Sequence, residues 1–166
     1  MLHQIFPTPL WVKNVNTKKL KLISTNFKKN WLSDTLSSYG GDNQISRTGY
    51  EYLKSKILDC LKDINIKDCK ITDIWRNIYD NDFQEKHMHS NSNFSFTIYE
   101  KLQKPQTVFI HPAHDLIYAT NVNNFLKHYY IPDVKENEMV LFPSYLSHMV
   151  KRSHNSITIS GNIDII

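Results

Sequence analysis

The chain has 166 residues, a length that suits one domain with its own hydrophobic core, and we expect residues 1–166 to form a single domain. Hydrophobic residues make up 40% of the chain and charged residues 22%, a composition that excludes an intrinsically disordered protein. The formal net charge is only +4 and the lysines are scattered, which favours solvated helix faces over a dedicated nucleic-acid-binding surface.

The first elements in chain order are predicted to be an edge strand and an amphipathic helix. The apolar segment 5–12 is interrupted by Pro7 and Pro9, and proline cannot donate to a sheet ladder, so we expect an edge strand there. A helix is predicted over residues 17–32, because apolar side chains recur in it at helical spacing. These side chains are Leu20, Ile23, Phe27 and Trp31.

A second helix is predicted after a loop rich in serine, glycine and asparagine. Thr48 and Glu51 form a capping-box pattern, which predicts that the helix begins at this point. One face of the helix is apolar and is expected to belong to the core. It carries Tyr50, Leu53, Ile57, Leu61 and Ile64.

From Cys69 onward the hydrophobic period changes from helical spacing to alternation, which indicates β-strands. The alternating or short apolar segments are residues 71–78, 94–99, 108–110, 139–142 and 157–163. Several short strands with turns between them predict a β-sandwich or barrel. The fold class is therefore predicted to be α+β, with the two N-terminal helices packed on one sheet.

The cellular compartment is predicted from the cysteines and the apolar segments. Cys60 and Cys69 are too few for a disulfide framework, so we expect two buried free thiols in a reducing compartment. No basic region followed by an apolar run begins the chain, and no apolar stretch reaches the length of a membrane span. We therefore expect a cytoplasmic protein without a membrane partner.

Three histidines form the strongest candidate site. His87 and His89 lie between two predicted strands, and residues i and i+2 of an extended segment point to the same side. Such a pair is about as often a surface pair as a metal site, but His148 supplies a third imidazole directly after the apolar strand 139–142. A late strand can return beside an early one in a double-sheet barrel. We predict that the three imidazoles bind one metal ion, for which Fe, Zn, Cu and Ni are suitable.

Short motifs surround these histidines in a fixed order. They are Trp75-Arg76-Asn77-Ile78-Tyr79, Asp82-Phe83-Gln84, His87-Met88-His89, Phe109-Ile110-His111-Pro112, Phe142-Pro143-Ser144 with His148, and Ser160-Gly161-Asn162, preceded by Phe6-Pro7-Thr8-Pro9-Leu10 and Gly40-Gly41. In this order they resemble a family of 2-oxoglutarate/Fe(II) oxygenases that is common in phages and marine bacteria. The resemblance covers nearly the whole chain.

The resemblance implies a double-stranded β-helix, or jelly roll, with Fe(II) held between two sheets by His87, His89 and His148. It also implies 2-oxoglutarate as co-substrate and hydroxylation as the reaction, in the host cytoplasm if the chain is phage-encoded. Most relatives in the wider superfamily carry a carboxylate where His89 stands. A dianionic co-substrate would compensate the charge of Fe(II). Alternatively, the carboxylate of Asp82, Glu85 or Asp115 orients one of the ligand imidazoles.

The sequence departs from the family pattern on the closing strand. The family is expected to carry there an arginine that binds the far carboxylate of 2-oxoglutarate, and Ser156 stands in its place. Arg152 is a substitute cation or a solvated turn residue, and Arg76 is expected to face away. Weaker candidates for binding the co-substrate or substrate are Asn77, Tyr79, Gln84 and Tyr99, although tyrosine and asparagine on strands more often serve ordinary cross-strand packing and hydrogen bonding.

Two other functions stay open. The absent arginine at Ser156 is compatible with a three-histidine, cupin-like dioxygenase that does not use 2-oxoglutarate. It is also compatible with a non-catalytic jelly-roll module for binding or virion association, because a fold alone does not fix a function. The sequence does not predict the oligomeric state, or whether the substrate is a small molecule, a protein or a nucleic acid.

Overall fold

A computed structural model describes residues 7–30, 33, 35–104 and 107–166. Within these residues the chain forms mostly strands, with one long helix before the main β-region. The elements are β1 (Trp11–Asn14), β2 (Ile23–Ser24), β3 (Lys28–Lys29), β4 (Leu36–Ser37), β5 (Asn43–Gln44), α1 (Arg47–Leu61), β6 (Cys69–Tyr79), β7 (Asp82–His87), β8 (Phe94–Lys101), β9 (Thr107–Ile110), α2 (His114–Ala119), β10 (Tyr129–Tyr130), β11 (Glu138–Pro143), β12 (His148–Ser153) and β13 (Ser156–Ile165).

Two antiparallel sheets form the body of the described chain. The larger sheet has the order β1-β11-β8-β13-β6-β4-β3 and the smaller one β10-β9-β12-β7. From β6 to β13 the chain passes between the sheets in the manner of a jelly roll, in which each sheet receives strands from both halves of the chain. The predicted double-stranded β-helix is therefore confirmed, and so are the five strand segments predicted after Cys69.

Helix α1 covers the outer face of the larger sheet. Its apolar face buries Leu53, Ile57 and Leu61 completely, whereas Ile64, predicted on the same face, is 41% exposed. These side chains share one apolar cluster with residues from β8, β11 and β13, and removing this surface from water stabilises the pairing of helix and sheet. The sheet residues are Phe94, Phe96, Ile98, Met139, Leu141, Ile159 and Ile163.

The start of α1 differs from the prediction by two residues. Ser46 is the N-cap, and its Oγ accepts a hydrogen bond of 3.1 Å from the main-chain N–H of Gly49. The predicted capping residue Thr48 already lies inside the helix. Ser46 acts as the N-cap because its extended backbone directs the hydroxyl oxygen toward the free N–H groups of the first turn.

The prediction of a helix over residues 17–32 is wrong. The chain forms only a 3-10 turn at Thr17–Lys19 and then two short strands, and Lys21 and Asn26 adopt left-handed backbone angles that an α-helix does not allow. Tertiary contacts override the helical spacing. The backbone of Leu20 packs directly against Gly49 of α1, so closely that a Cβ atom on residue 49 would lie 2.1 Å from the Leu20 oxygen. The described part of the N-terminal region therefore has one α-helix, and Trp31 and Leu32 lie outside the described residues.

The predicted edge strand is confirmed with later bounds. Strand β1 lies at one edge of the larger sheet and pairs with β11, and it begins only after Pro7 and Pro9. Proline lacks the N–H that a ladder needs, so pairing starts where the prolines end. Residues 5 and 6 of the predicted strand lie outside the described residues.

A bulge in β6 decides which side chains reach the space between the sheets. Ile71 pairs with Ile163 and Asp73 with Asn162, so Thr72 is an extra residue on β6. An extra residue reverses the faces of a strand. Cys69 and Ile71 accordingly pack in the cluster under α1, while residues 75, 77 and 79 line a cavity between the sheets.

Two further predictions concern the cysteines and the membrane. Cys60 and Cys69 are buried free thiols, as predicted, and burial raises the pKa of both. In the part of the chain that the structure describes, no helix combines the length and apolarity that a bilayer-spanning segment requires.

Candidate metal centre

The three predicted histidines meet at one point between the sheets. His87 ends β7 and His148 begins β12, and the two residues are direct partners in the ladder between these strands. His89 follows two residues after His87, and its main-chain N–H donates a hydrogen bond of 3.0 Å to the oxygen of Ser144. One ring nitrogen from each histidine lies within 4.8 Å of the others, a spacing that one metal ion can bridge.

Main-chain oxygens orient two of the imidazoles. Nδ1 of His87 lies 2.8 Å from the carbonyl oxygen of Glu85, and Nδ1 of His148 lies 3.0 Å from that of Leu146. A carbonyl oxygen only accepts, so Nδ1 carries the proton in both rings. Nε2 therefore keeps its lone pair, which is the arrangement of metal-binding histidines whose second nitrogen is held by the protein.

Burial keeps the imidazoles neutral. It lowers the pKa of His87, and it lowers the pKa of His148 to about 3, with the proximity of His87 as a further cause. The pKa of His89 falls to about 4 through burial and the proximity of His87, against an opposing effect of the Asp73 carboxylate. All three rings are thus in the form that binds a metal ion at neutral pH, without proton release.

Aromatic rings wall the centre. The ring centroid of Phe142 lies 4.9 Å from that of His148, and the ring centroid of Phe109 lies 5.8 Å from it. The ring centroid of Trp75 lies 5.8 Å from that of His89. These rings lower the polarity around the centre, and a low local polarity strengthens electrostatic interactions.

A buried polar network supports the segment that carries His89. The hydroxyl of Ser144 is 2.8 Å from those of Ser92 and Ser95, and Ser95 also donates to Oδ1 of Asn162 at 3.0 Å. Asn162 in turn donates to the Asp73 carboxylate at 3.3 Å. The roles of Ser95 and Asp73 were missed in the sequence. Their signal was weak, because each is one polar residue in an alternating strand, although Ser144 and Asn162 belong to motifs that were noticed.

A small cavity adjoins the three histidines. Its volume is about 20 Å³, enough for one water molecule. None of its lining residues carries a formal charge. They are Trp75, Asn77, Tyr79, Gln84, His87, His89, Ser95, Phe96, Thr97, Phe142, His148, Val150, Thr158, Ser160 and Gly161.

Three of the predicted co-substrate residues line this cavity. The hydroxyl of Tyr79 donates to Oε1 of Gln84 at 3.2 Å. Nδ2 of Asn77 donates to the hydroxyl oxygens of Thr158 and Ser160 at 3.3 and 3.4 Å. Oδ1 of Asn77, a residue that is 2% exposed, has no hydrogen-bond partner within the described chain.

Tyr99 and Ser156 lie beside the cavity, outside its lining. Tyr99 is buried among the apolar residues between the sheets, donates its hydroxyl to Thr107 at 2.8 Å, and has its pKa raised to about 12 by burial. Ser156 is buried opposite Tyr79 in the ladder between β13 and β6. Its hydroxyl donates to the oxygen of His154 at 2.9 Å and accepts from Ser153 at 2.9 Å.

The two arginines near the site have partners elsewhere. Arg152 is exposed, its guanidinium lies 5.2 Å from the ring centroid of Phe83, and it donates to the oxygen of Asn81. Arg76 faces away from the cavity, as expected, and makes a two-point ion pair with Glu100 at 2.7 and 3.0 Å. Neither guanidinium lines the cavity.

The predicted orienting carboxylates need a correction. Glu85 acts on His87 through its main-chain oxygen and not through its side chain. The carboxylate whose charge acts on one of the three imidazoles is that of Asp73, which partly opposes the lowering of the pKa of His89 by burial and by His87. Asp73 was not predicted because the β6 bulge, which places it, is invisible in the hydrophobic pattern. Neither Asp82 nor Asp115 affects the pKa of any of the three histidines.

Comparison with known protein families finds one match. Residues 73–162, just over half of the chain, match the model of a family described as "Putative 2OG-Fe(II) oxygenase". The matched segment contains all three histidines. Comparison with curated proteins finds none that is significantly similar in sequence.

Several solved structures share the fold. A 2OG-Fe(II) oxygenase family oxidoreductase from Burkholderia pseudomallei aligns with a TM-score of 0.57 at 10% identity, over 89% of this chain and 74% of its own. HygX from Streptomyces hygroscopicus, solved with nickel, 2-oxoglutarate and hygromycin B, aligns with a TM-score of 0.56 at 10% identity, over 95% and 83%. The α-ketoglutarate-dependent epimerase SnoN of nogalamycin biosynthesis aligns with a TM-score of 0.57 at 6% identity, over 95% and 79%. At these identities the likeness concerns the fold.

Proposed function

This chain belongs to the 2OG-Fe(II) oxygenase family, and from that premise we propose that it is an Fe(II)- and 2-oxoglutarate-dependent oxygenase that hydroxylates its substrate. The observation that carries the proposal is the convergence of three neutral imidazoles, one buried and two half-buried, within 4.8 Å of one another. When bound, Fe(II) together with a 2-oxo acid and O2 supplies the oxidising chemistry that attacks an unactivated C–H bond.

The residues of this chain have defined tasks in the proposal. His87, His89 and His148 hold the metal, and three protein ligands leave positions open for small molecules. The main-chain oxygens of Glu85 and Leu146 keep Nε2 of two ligands directed at the ion. Phe142 and Trp75 keep bulk water away.

The charge of the centre favours an anionic co-substrate. Three neutral imidazoles leave both positive charges of Fe(II) uncompensated, and no carboxylate lines the cavity beside them. A bound divalent cation is then the largest local charge and attracts an anion. A 2-oxo acid, which carries a carboxylate next to its keto group, supplies such an anion at the metal.

A spectroscopic experiment tests the function. Purified protein is loaded with Fe(II) under nitrogen, and the visible absorbance is recorded as 2-oxoglutarate is added; succinate is measured after exposure to air. We expect about one iron per chain, a charge-transfer band and succinate formation. His148→Ala should lose the band and most of the iron, while His154→Ala, an exposed histidine, should keep both.

The outcome also separates the alternatives. A protein that binds iron stoichiometrically but gives neither band nor succinate would be a three-histidine dioxygenase of another kind. Weak, non-stoichiometric iron would indicate a non-catalytic jelly-roll module. The family match favours neither of these alternatives.

A further inference from the structure

The cavity beside the metal centre lacks any charged group. Its lining combines aromatic, hydroxyl and amide side chains, and the two nearby guanidinium groups have partners outside the cavity. A buried carboxylate without a cation or a full set of donors is costly. The far carboxylate of 2-oxoglutarate, which points away from the metal when the keto acid end is bound, therefore finds no counterion in this cavity.

The position that could supply a cation is occupied by a short neutral side chain. Ser156 pairs directly with Tyr79, and partners in an antiparallel ladder project to the same face. Thr158 and Ser160 follow on that face and line the cavity. The Ser156 hydroxyl bonds to His154 and Ser153 instead of reaching the cavity. Strand β13 thus presents hydroxyl groups and no charge to the cavity.

One hydrogen-bond acceptor in the cavity has no donor. The Tyr79 hydroxyl donates its proton to Gln84, and the amide group of Asn77 donates to Thr158 and Ser160. Oδ1 of Asn77 keeps no partner. A buried acceptor without a donor is destabilising, and a carboxylate brings only further acceptors to it.

We propose, on the basis of the proposed function, that the co-substrate site of this chain recognises the uncharged far end of a 2-oxo acid, and that Ser156 sets this preference. The keto acid end still binds through the charge of the metal. The far end is selected by shape and by neutral hydrogen-bonding groups, so 2-oxo monocarboxylates are the co-substrate class that the cavity suits. A second negative charge meets no cationic side chain there.

A matched pair of ligands tests the proposal on the unmodified protein. 5-Methyl-2-oxohexanoate has the shape of 2-oxoglutarate, with two methyl groups in place of the far carboxylate oxygens. Because the shapes agree, any movement of lining side chains that opens the small cavity affects both ligands equally. Fe(II)-loaded protein is titrated with each acid under nitrogen by calorimetry. We expect the monocarboxylate to bind as tightly as 2-oxoglutarate or more tightly; binding of 2-oxoglutarate that is at least about tenfold tighter would overturn the proposal.

A variant tests the role of position 156. Ser156→Arg places a guanidinium beside Tyr79, and we expect it to shift the ratio of the two dissociation constants toward 2-oxoglutarate by at least about tenfold. Ser156→Gln, which is long but uncharged, should leave the ratio unchanged. An unchanged ratio in a folded arginine variant would overturn the assignment of Ser156, and the wild-type comparison still decides the main proposal if that variant does not fold.

The same titrations separate this inference from the proposed function. If neither acid binds to the iron-loaded protein, both are wrong. If 2-oxoglutarate binds strongly and selectively, the proposed function stands and only the inference about the far end fails.

Discussion

His89 is the residue that leaves the candidate metal centre without a carboxylate. It is neutral, with a pKa lowered to about 4 by burial and by His87, so the ligand set as a whole carries no negative charge. The Asp73 carboxylate, which partly opposes this lowering, accepts a hydrogen bond from Asn162. If these three imidazoles bind the metal as proposed, no protein ligand weakens its attraction for an anionic co-substrate.

The substitution His89→Asp tests this effect of charge. Iron binding should persist, because a carboxylate suits Fe(II), but the affinity for a 2-oxo acid should fall several-fold since one positive charge is neutralised. The charge-transfer band during anaerobic titration reports both properties. His89→Ala is the control that removes a ligand without adding charge, and tighter binding of the acid in His89→Asp would contradict the argument.

Individual residues of the site were predictable to different degrees. The convergence of His87, His89 and His148 followed from an i, i+2 pair and a third histidine after an apolar strand. The partners of Arg152 did not follow, because its contact with Phe83 depends on the irregular pairing of β12 with β7. In a bulged strand, the alternation of apolar and polar residues does not tell which way each side chain points.

Among the elements, helix α1 shows how a cap can be misjudged. Both Ser46 and Thr48 are good capping residues by type, and their hydroxyls lie 3.3 Å apart. Only the backbone geometry at Ser46 lets its oxygen accept from the Gly49 N–H. Residue type alone therefore leaves the first residue of a helix uncertain by about a turn.

Two substitutions distinguish the caps. Ser46→Ala should lower the free energy of unfolding by about 1 kcal/mol, because it removes the cap. Thr48→Ala should change it by less than about 0.5 kcal/mol, since the side chain lies inside the helix and alanine is a good helix former. Urea denaturation followed by circular dichroism measures both. Equal losses in the two variants would show that the hydroxyls act together.

The strands that carry the ligands were harder to predict than the strands of the core. β8, β11 and β13 alternate or are apolar over most of their length, and β6 alternates on each side of its bulge, whereas β7 and β12 do not alternate. Both belong to the smaller sheet, and the register between them shifts twice. A polar strand with bulges loses the period of two, so its sequence resembles a loop.

At the scale of the whole molecule, the jelly-roll topology creates the site. β7 and β12 are far apart in the chain and become neighbours only because late strands insert beside early ones in the smaller sheet. In the unfolded chain the three imidazoles are not held together. Metal binding should therefore be coupled to folding.

This coupling gives a measurable stabilisation. Ni(II), which avoids redox chemistry, should raise the free energy of unfolding by about 2.7 kcal/mol when present at about 100 times its dissociation constant. Calorimetric unfolding with and without the ion measures the change. His154→Ala should keep the stabilisation, and His148→Ala should lose most of it. A similar gain in His148→Ala would place the ion at another site.

The oxygen atoms that orient His87 and His148 belong to the peptide backbone of Glu85 and Leu146. No amino-acid replacement at positions 85 or 146 deletes a peptide oxygen. Substitutions at these two positions therefore keep the hydrogen bonds that orient the imidazoles. The side chains around the centre can change during evolution without changing the orientation of these two rings.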